Sequence, residues 1–114
     1  MGLSKSNKGA LAEYRVACFC LAANWIVFRC MTPNSDVDLV LLRRGHLLKC
    51  QVKSTSGAGA ATAGNPKNLR QGRNDILAVV TPDTILFKVR NRRIQRLFPG
   101  SILARPLKRP PEGH

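Results

Sequence analysis

Residues 36–53 place side chains able to hold a cation and activate water at strand spacing: Asp36 and Asp38, then Lys49, Gln51 and Lys53. Successive side chains of a strand point to opposite faces. Asp36 and Asp38 therefore share a face of the run 36–42, and Lys49, Gln51 and Lys53 share a face of the run 47–53. Arg43-Arg44-Gly45-His46 joins the two runs, with Gly45 free to take the positive φ that a hairpin turn often needs. If the two polar faces coincide, carboxylates, an amide oxygen and an ammonium converge on a small volume. That is the composition of a metal-assisted hydrolytic site. The alternative is an amphipathic hairpin whose polar face is simply wet. Against it, Asp and Gln are poor strand residues and here interrupt the most apolar part of the chain. Two of only six acids also fall on one short run.

The 114 residues make one domain with a modest core, and 44% hydrophobic content excludes wholesale disorder. Nineteen Lys and Arg against six acids give a net charge of +13. Such an excess repels itself unless a polyanion neutralises it, so nucleic acid is the expected partner. Arg outnumbers Lys, which suits bidentate phosphate contacts. No basic amphipathic helix and no apolar run of membrane-spanning length stand out, so no membrane partner is expected. The four cysteines at 18, 20, 30 and 50 lack zinc-site spacing, and Cys18 and Cys20 lie about 200° apart on a helix. Buried free thiols in a reducing cytoplasm are expected, with a disulfide between two of them left open.

The elements that must position these residues follow from periodicity. Ser6 or Asn7 caps a helix from about Lys8 to Ala23, with Ala10, Tyr14, Ala17 and Leu21 as its packing stripe, widened by Leu11 and Cys18. Glu13 stands at the edge of that stripe, as a surface partner for a basic residue or as an inward-reaching carboxylate. Asn24 ends the helix, and Trp25 to Cys30 is a strand. The hairpin follows. Residues 54–68, rich in small residues, are too long for a connection inside a compact core and read as a flexible loop, extending to Arg73, that either floats or orders on DNA. Residues 75–80 and 85–89 are strands separated by the turn Thr81-Pro82-Asp83-Thr84. Asp75 and Asp83 read as a strand-edge and a turn residue, outside any site. A helical turn at 94–98 and a basic, Pro-rich tail at 106–114 complete the chain. The order predicts an α/β (α+β) fold, a small mixed sheet with the N-terminal helix packed on it, as a single domain over 1–105.

In this order the chain resembles the PD-(D/E)XK nuclease superfamily. The nearest branches are its small one-domain members: archaeal-type Holliday junction resolvases and group I intron homing endonucleases with a Gln variant of the motif. The matching pieces are K-G-A-L-A-E, A-N-W-I-V, D-L-V-L-L, G-H-L-L-K-C-Q-V-K-S-T and D-I-L-A-V-V-T-P-D-T-I-L-F, over about residues 8 to 90. The resemblance implies a restriction-endonuclease-like core and Mg²⁺-dependent hydrolysis of DNA phosphodiesters, with Mn²⁺ substituting. It implies catalytic roles for Glu13, Asp38, Gln51 and Lys53. Asp38, Gln51, the Val52 carbonyl and Glu13 would hold the metal, and Lys53 would orient or deprotonate the attacking water. Gln51 in place of the common Glu removes a negative charge, and Val37 stands where the family name has Pro. Asp36 has no settled counterpart.

Phosphate contacts are expected from Lys8, Arg43, Arg44, Lys49, Ser54, Lys67, Arg70, Arg73, Arg92 and Arg93. Three readings follow. The first is a homodimeric, structure-selective endonuclease of branched DNA, cytoplasmic in a bacterial, archaeal or virus-infected cell. The second is a sequence-specific homing or restriction-type enzyme on duplex DNA. The third is a non-catalytic binder whose charge does everything.

Overall fold

The computed structural model describes residues 4–32, 35–55, 67–98 and the backbone of 104–106. In chain order the elements are α1 (Lys5–Ala22), β1 (Ile26–Arg29), β2 (Leu39–Arg43), β3 (His46–Ser54), α2 (Lys67–Arg70), β4 (Ile76–Val80), β5 (Ile85–Val89), α3 (Arg92–Leu97) and β6 (Ala104–Pro106). The strands form one sheet in the order β1-β2-β3-β4-β5-β6. The β3–β4 and β5–β6 pairs are parallel and the others antiparallel, so the expected mixed sheet with a packed N-terminal helix is present.

The sheet owes its order to local signals that agree. Arg44 and Gly45 both take positive φ, 51° and 81°, and close the two-residue β2–β3 hairpin. Gly is at ease there and Arg is strained, so Gly45 carries the turn. Asn24, at φ 68°, stops α1 and turns the chain into β1. The helix starts earlier than expected. Ser4 is the cap, its Oγ accepting from Asn7 N at 3.1 Å, and not Ser6 or Asn7.

The main core lies between α1 and one face of the sheet. Ala12, Val16 and Cys20 meet Leu39, Leu41, Leu48, Cys50, Ile76, Ala78, Phe87 and Val89 there. Phe19, Phe87, Phe98 and Trp25 form an aromatic cluster with centroids 4.9 to 6.4 Å apart, joining α1 and β5 to the end of α3. A smaller cluster of Leu69, Leu77 and Val79 covers the other face of β4, so all five β4 residues are buried. A strand apolar on both faces is what a parallel central position requires.

One expectation fails in part. The stripe assigned to the packing face of α1 is mostly the outer one: Leu11, Tyr14, Cys18 and Leu21 are exposed, Ala17 packs against the core as expected, and Ala12, Val16 and Cys20 are the buried residues. Both sides of the helix are apolar, and periodicity alone had no means of ranking small buried residues above large exposed ones. The expectation of buried thiols accordingly holds for Cys20 and Cys50 and not for Cys18. The segment 54–73, expected as a flexible loop, connects β3 to β4. Parallel pairing of β3 with β4 requires a crossover of a dozen or more residues, and this segment supplies it. Its end is the short helix α2, and its residues 56–66 lie outside the described ones, as does the tail at 107–114.

Candidate active site

The site is built where β2 and β3 part. Their register pairs Leu39 with Cys50, which would set Asp38 opposite Gln51. Instead Asp38 N donates to the Cys50 carbonyl at 3.0 Å, one residue out of step, while the Asp38 carbonyl accepts from Cys30 N at 2.9 Å. The strands separate, and the Asp38 side chain fills the gap. Its Oδ2 accepts from Val52 N at 2.7 Å. Its Oδ1 has no hydrogen-bond partner among the described residues.

Burial raises the Asp38 carboxyl above the ordinary Asp value; the Val52 N–H and the Lys53 ammonium pull it back, and the Asp36 charge pushes it up again. A carboxylate partly stripped of water, with a free oxygen, is poised to gain from a cation. Gln51 and Lys53 flank Val52 and point to the sheet face opposite α1, because Cys50 and Val52 pack into the α1 core. Gln51 is 7% exposed. Its Oε1 accepts from Asn68 Nδ2 at 3.4 Å, which orients the amide and leaves a second lone pair on that oxygen. Lys53 is exposed and has no ion pair among the described residues, although its charge is felt at Asp38.

Glu13 approaches from α1. It lines an open cleft of about 410 Å³ together with Arg29, Cys30, Met31, Thr32, Ser35, Val37 and Asp38. Its Oε1 accepts from Arg29 Nε at 3.2 Å, and the Arg29 guanidinium also sits 5.6 Å from the Tyr14 ring centroid. Glu13 and Asp38 thus share a cleft that Gln51 and Lys53 do not line. No three His, Cys, Asp or Glu side chains come together as a metal-binding group among the described residues. A cation here would rest on Asp38 and neutral oxygens. That all-oxygen donor set fits a hard ion that keeps most of its waters, such as Mg²⁺.

Sequence reasoning missed Asn68 and Asn74, which hold this site in place, and gave Arg73 only a phosphate contact. All three come from α2 and the turn after it. Asn74 Nδ2 donates to the Asp36 carbonyl at 3.0 Å, and Arg73 Nη1 lies 3.5 Å from the Asp36 carboxylate. Asn74 Oδ1 is buried without a partner among the described residues. Asp36 is thereby a tether, exposed and outside β2, and does not share a strand face with Asp38. No motif marks these positions; only the folded crossover brings them to Asp36 and Gln51. Asp75 and Asp83 behave as expected. Asp75 is a buried structural carboxylate, accepting from Lys49 N at 2.9 Å and from Arg90 Nη2 at 2.9 Å, and Asp83 is an exposed turn residue.

The expected phosphate-binding residues divide. Lys8 and Ser54 line a second cleft with Lys5, Arg15 and Thr81. Arg44 stands exposed at the hairpin turn, Arg70 at the end of α2, and Arg92 and Arg93 at the start of α3. Lys49 Nζ donates to the Gly72 carbonyl at 3.1 Å, and Arg73 is held by Asp36. Arg43 is engaged in packing. Its guanidinium lies 4.7 Å from the Trp25 ring centroid and donates to the Ala23 carbonyl at 3.0 Å. Lys67 is placed on α2 by its backbone. No helix among the described residues is long and apolar enough to cross a membrane.

No family model and no curated protein matches the chain. Among solved structures it is similar to the bacterial homing endonuclease I-Ssp6803I, with a TM-score of 0.58 and 21% sequence identity. The similarity covers 83% of this chain and 71% of that one. At that identity the likeness is one of fold: the small mixed sheet with its N-terminal helix is an architecture that a homing endonuclease uses.

Proposed function

We propose that the chain is a metal-dependent DNA endonuclease, acting as a homodimer on branched junctions. One observation carries the reading. Asp38, half-buried and held by Val52 N–H, has a carboxylate oxygen unpartnered among the described residues at the point where β2 and β3 separate, with Gln51 and Lys53 on either side of Val52. The charge of +13 and the fold it shares with a homing endonuclease support DNA as the substrate.

In this reading Asp38, Gln51 Oε1 and the Val52 carbonyl would hold Mg²⁺, with Mn²⁺ substituting and Glu13 as the carboxylate across the cleft. Bound there, the cation supplies Lewis acidity at a phosphate oxygen and acidifies a water. Lys53 orients that water or takes its proton, and offsets the charge that builds on phosphorus. Asn68 keeps the oxygen end of the Gln51 amide presented. Gln51 contributes no charge, so the ion is held more weakly than by a Glu. Arg44, Arg70, Arg92 and Arg93 engage the backbone without reading sequence.

A second reading is favoured by the neighbour's printed identity and by Gln51: a site-specific enzyme on duplex DNA. The separating experiment incubates the protein with a labelled immobile four-way junction, a linear duplex of matching sequence, and a random duplex library, in Mg²⁺ and in EDTA. Paired nicks in the junction alone establish the first reading, and a recovered library site establishes the second. Lys53→Ala should lose cleavage far more than binding. Equal, small losses of both would leave a non-catalytic binder.

A further inference from the structure

Helix α1 is apolar on both sides. Its inner side, Ala12, Val16 and Cys20, is buried against the sheet. Its outer side carries Leu11, Tyr14, Cys18 and Leu21, spaced three, four and three residues apart. Leu11, Tyr14 and Leu21 are 48%, 58% and 56% exposed, and Cys18 is exposed as well. At about 100° per residue these four fall within about 80° of the helix circumference. Ala10 and Ala22 border them, and α1 itself sets no charged residue within the stripe, while the Arg29 guanidinium lies at its edge, 5.6 Å from the Tyr14 ring centroid. Lys8 and Arg15 lie on one flank and Glu13, held by Arg29, on the other. A helix with a contiguous apolar stripe on its outer face marks an interaction surface. On a chain of +13 an uncharged outer face is also the one least suited to a polyanion.

We infer that this face is covered by the same face of a second copy, the two α1 helices packing antiparallel across a two-fold axis. The spacing is the first reason. In an antiparallel helix pair related by a two-fold, residues that stand level have numbers with a constant sum. The three-four-three spacing is symmetric about its own midpoint, so Leu11 meets the partner's Leu21 while Tyr14 meets the partner's Cys18. Ala10 then faces the partner's Ala22 in the same register. An isologous interface demands this reciprocity, with large side chains set against large or small ones.

Area is the second reason. Half-exposed side chains of this size leave roughly 400 Å² of apolar surface per copy. A standard interface takes about 800 Å² from each partner, a little over half of it non-polar. The stripe therefore supplies about the apolar share that one stable interface needs. Charge is the third. Two copies at +13 repel wherever basic side chains face each other, and this stripe is where they approach with least opposition. The inference supplies the surface for the homodimer of the proposed reading, but it uses no residue of the candidate site, so its failure leaves the cleavage test standing.

The open sheet face bearing Ile26, Phe28 and Leu47 is the rival surface, and the test includes it. The full chain, Leu21→Glu and Phe28→Glu are compared by sedimentation equilibrium, with circular dichroism to confirm the fold. Tyr14→Cys in a Cys30→Ser background is oxidised mildly and mapped by peptide mass. The native chain should sediment as a dimer, and Leu21→Glu should raise its dissociation constant by ~100-fold or more while Phe28→Glu leaves it unchanged. The oxidised variant should yield a covalent dimer joining position 14 of one copy to Cys18 of the other. A native chain that is monomeric at every concentration overturns the inference. So does a dimer broken by Phe28→Glu and not by Leu21→Glu, and so does the absence of the 14-to-18 link.

Discussion

Replacing Asp75 by Ala should destabilise the fold severely while leaving the candidate site intact. Asp75 is a buried residue whose carboxylate takes the Lys49 backbone N–H at 2.9 Å on Oδ2 and Arg90 at 2.9 Å and 3.3 Å on Oδ1. Its backbone adds two more links, to the Lys49 carbonyl at 2.8 Å and from Arg90 N at 2.9 Å. One residue therefore fastens the start of β4 to β3 and to the end of β5. In the Ala variant the Lys49 N–H loses its acceptor in a half-buried position, which costs ~1–2 kcal/mol. The Arg90 side chain is 33% exposed and regains some water, so the lost charge-assisted bonds are discounted to ~1–2 kcal/mol. The sum is about 3 kcal/mol, or roughly 12 °C in Tm at ~4 °C per kcal/mol for a chain of this size. Urea unfolding followed by circular dichroism measures it, with the m-value expected to stay unchanged. A loss below ~1 kcal/mol would refute the reasoning, because a carboxylate so placed would then be exchangeable for nothing.

Asp38→Asn should do the opposite. Burial raises the folded carboxyl above the ordinary Asp value, so its contribution to stability is present below that value and is lost as pH rises through the raised one. At neutral pH the charged group opposes folding; the variant should melt slightly higher there, show no gain near pH ~3, and lose ~1000-fold or more in cleavage. A lower Tm at neutral pH would count against it. Arg43→Ala should destabilise by ~1–2 kcal/mol through the lost Trp25 contact and leave the salt dependence of DNA binding unchanged, whereas Arg70→Ala should reduce that slope by about one without changing Tm. The reverse pattern would exchange their roles. In the Leu21→Glu variant, where the α1 face is uncovered, maleimide at pH ~8 should label Cys18 at once and spare Cys20, whose thiol burial pushes up to about 12, and Cys50, pushed well above the usual thiol range, until the chain unfolds. Early labelling at Cys50 would mean the α1 core opens locally.

Where local rules and tertiary context agree, the sequence is readable. The β2–β3 hairpin, the β4 and β5 strands, the stop at Asn24 and the turn at Thr81–Thr84 all follow from period-two patterning and turn residues. The polar members of β3 could be named for the same reason, since alternation alone puts Gln51 and Lys53 on one face. Three features resisted. The buried face of α1 is lined by Ala12, Val16 and Cys20, small residues that lose to Leu and Tyr in any hydrophobicity pattern. Asp36 and Asp38 separate because the ladder slips by one residue at Cys50, and slippage of this kind leaves no compositional trace. Asn68 and Asn74 act through partners 17 and 38 positions away, and sequence spacing cannot show which polar groups will meet.

These missed residues lie on one segment, and that has a consequence for how the site depends on the fold. Between Ser54 and Ile76 the chain crosses from β3 to the parallel β4, and the last part of the crossover is sewn to both halves of the candidate site. Asn68 holds Gln51, Asn74 and Arg73 hold Asp36, and Gly72 accepts from Lys49. The Asn68 carbonyl accepts from Arg73 N and Asn74 N, which folds α2 and the turn into a single clasp. Leu69 anchors that clasp on Leu77 and Val79, beneath the strand it leads into. Gln51 can then present a buried amide oxygen, and Asp38 a half-desolvated carboxylate, only when β4 has docked beside β3. A hairpin excised from this chain would keep its turn and its alternation and lose both. The polar groups that could do chemistry are local in sequence, but the environment that would make them reactive is not.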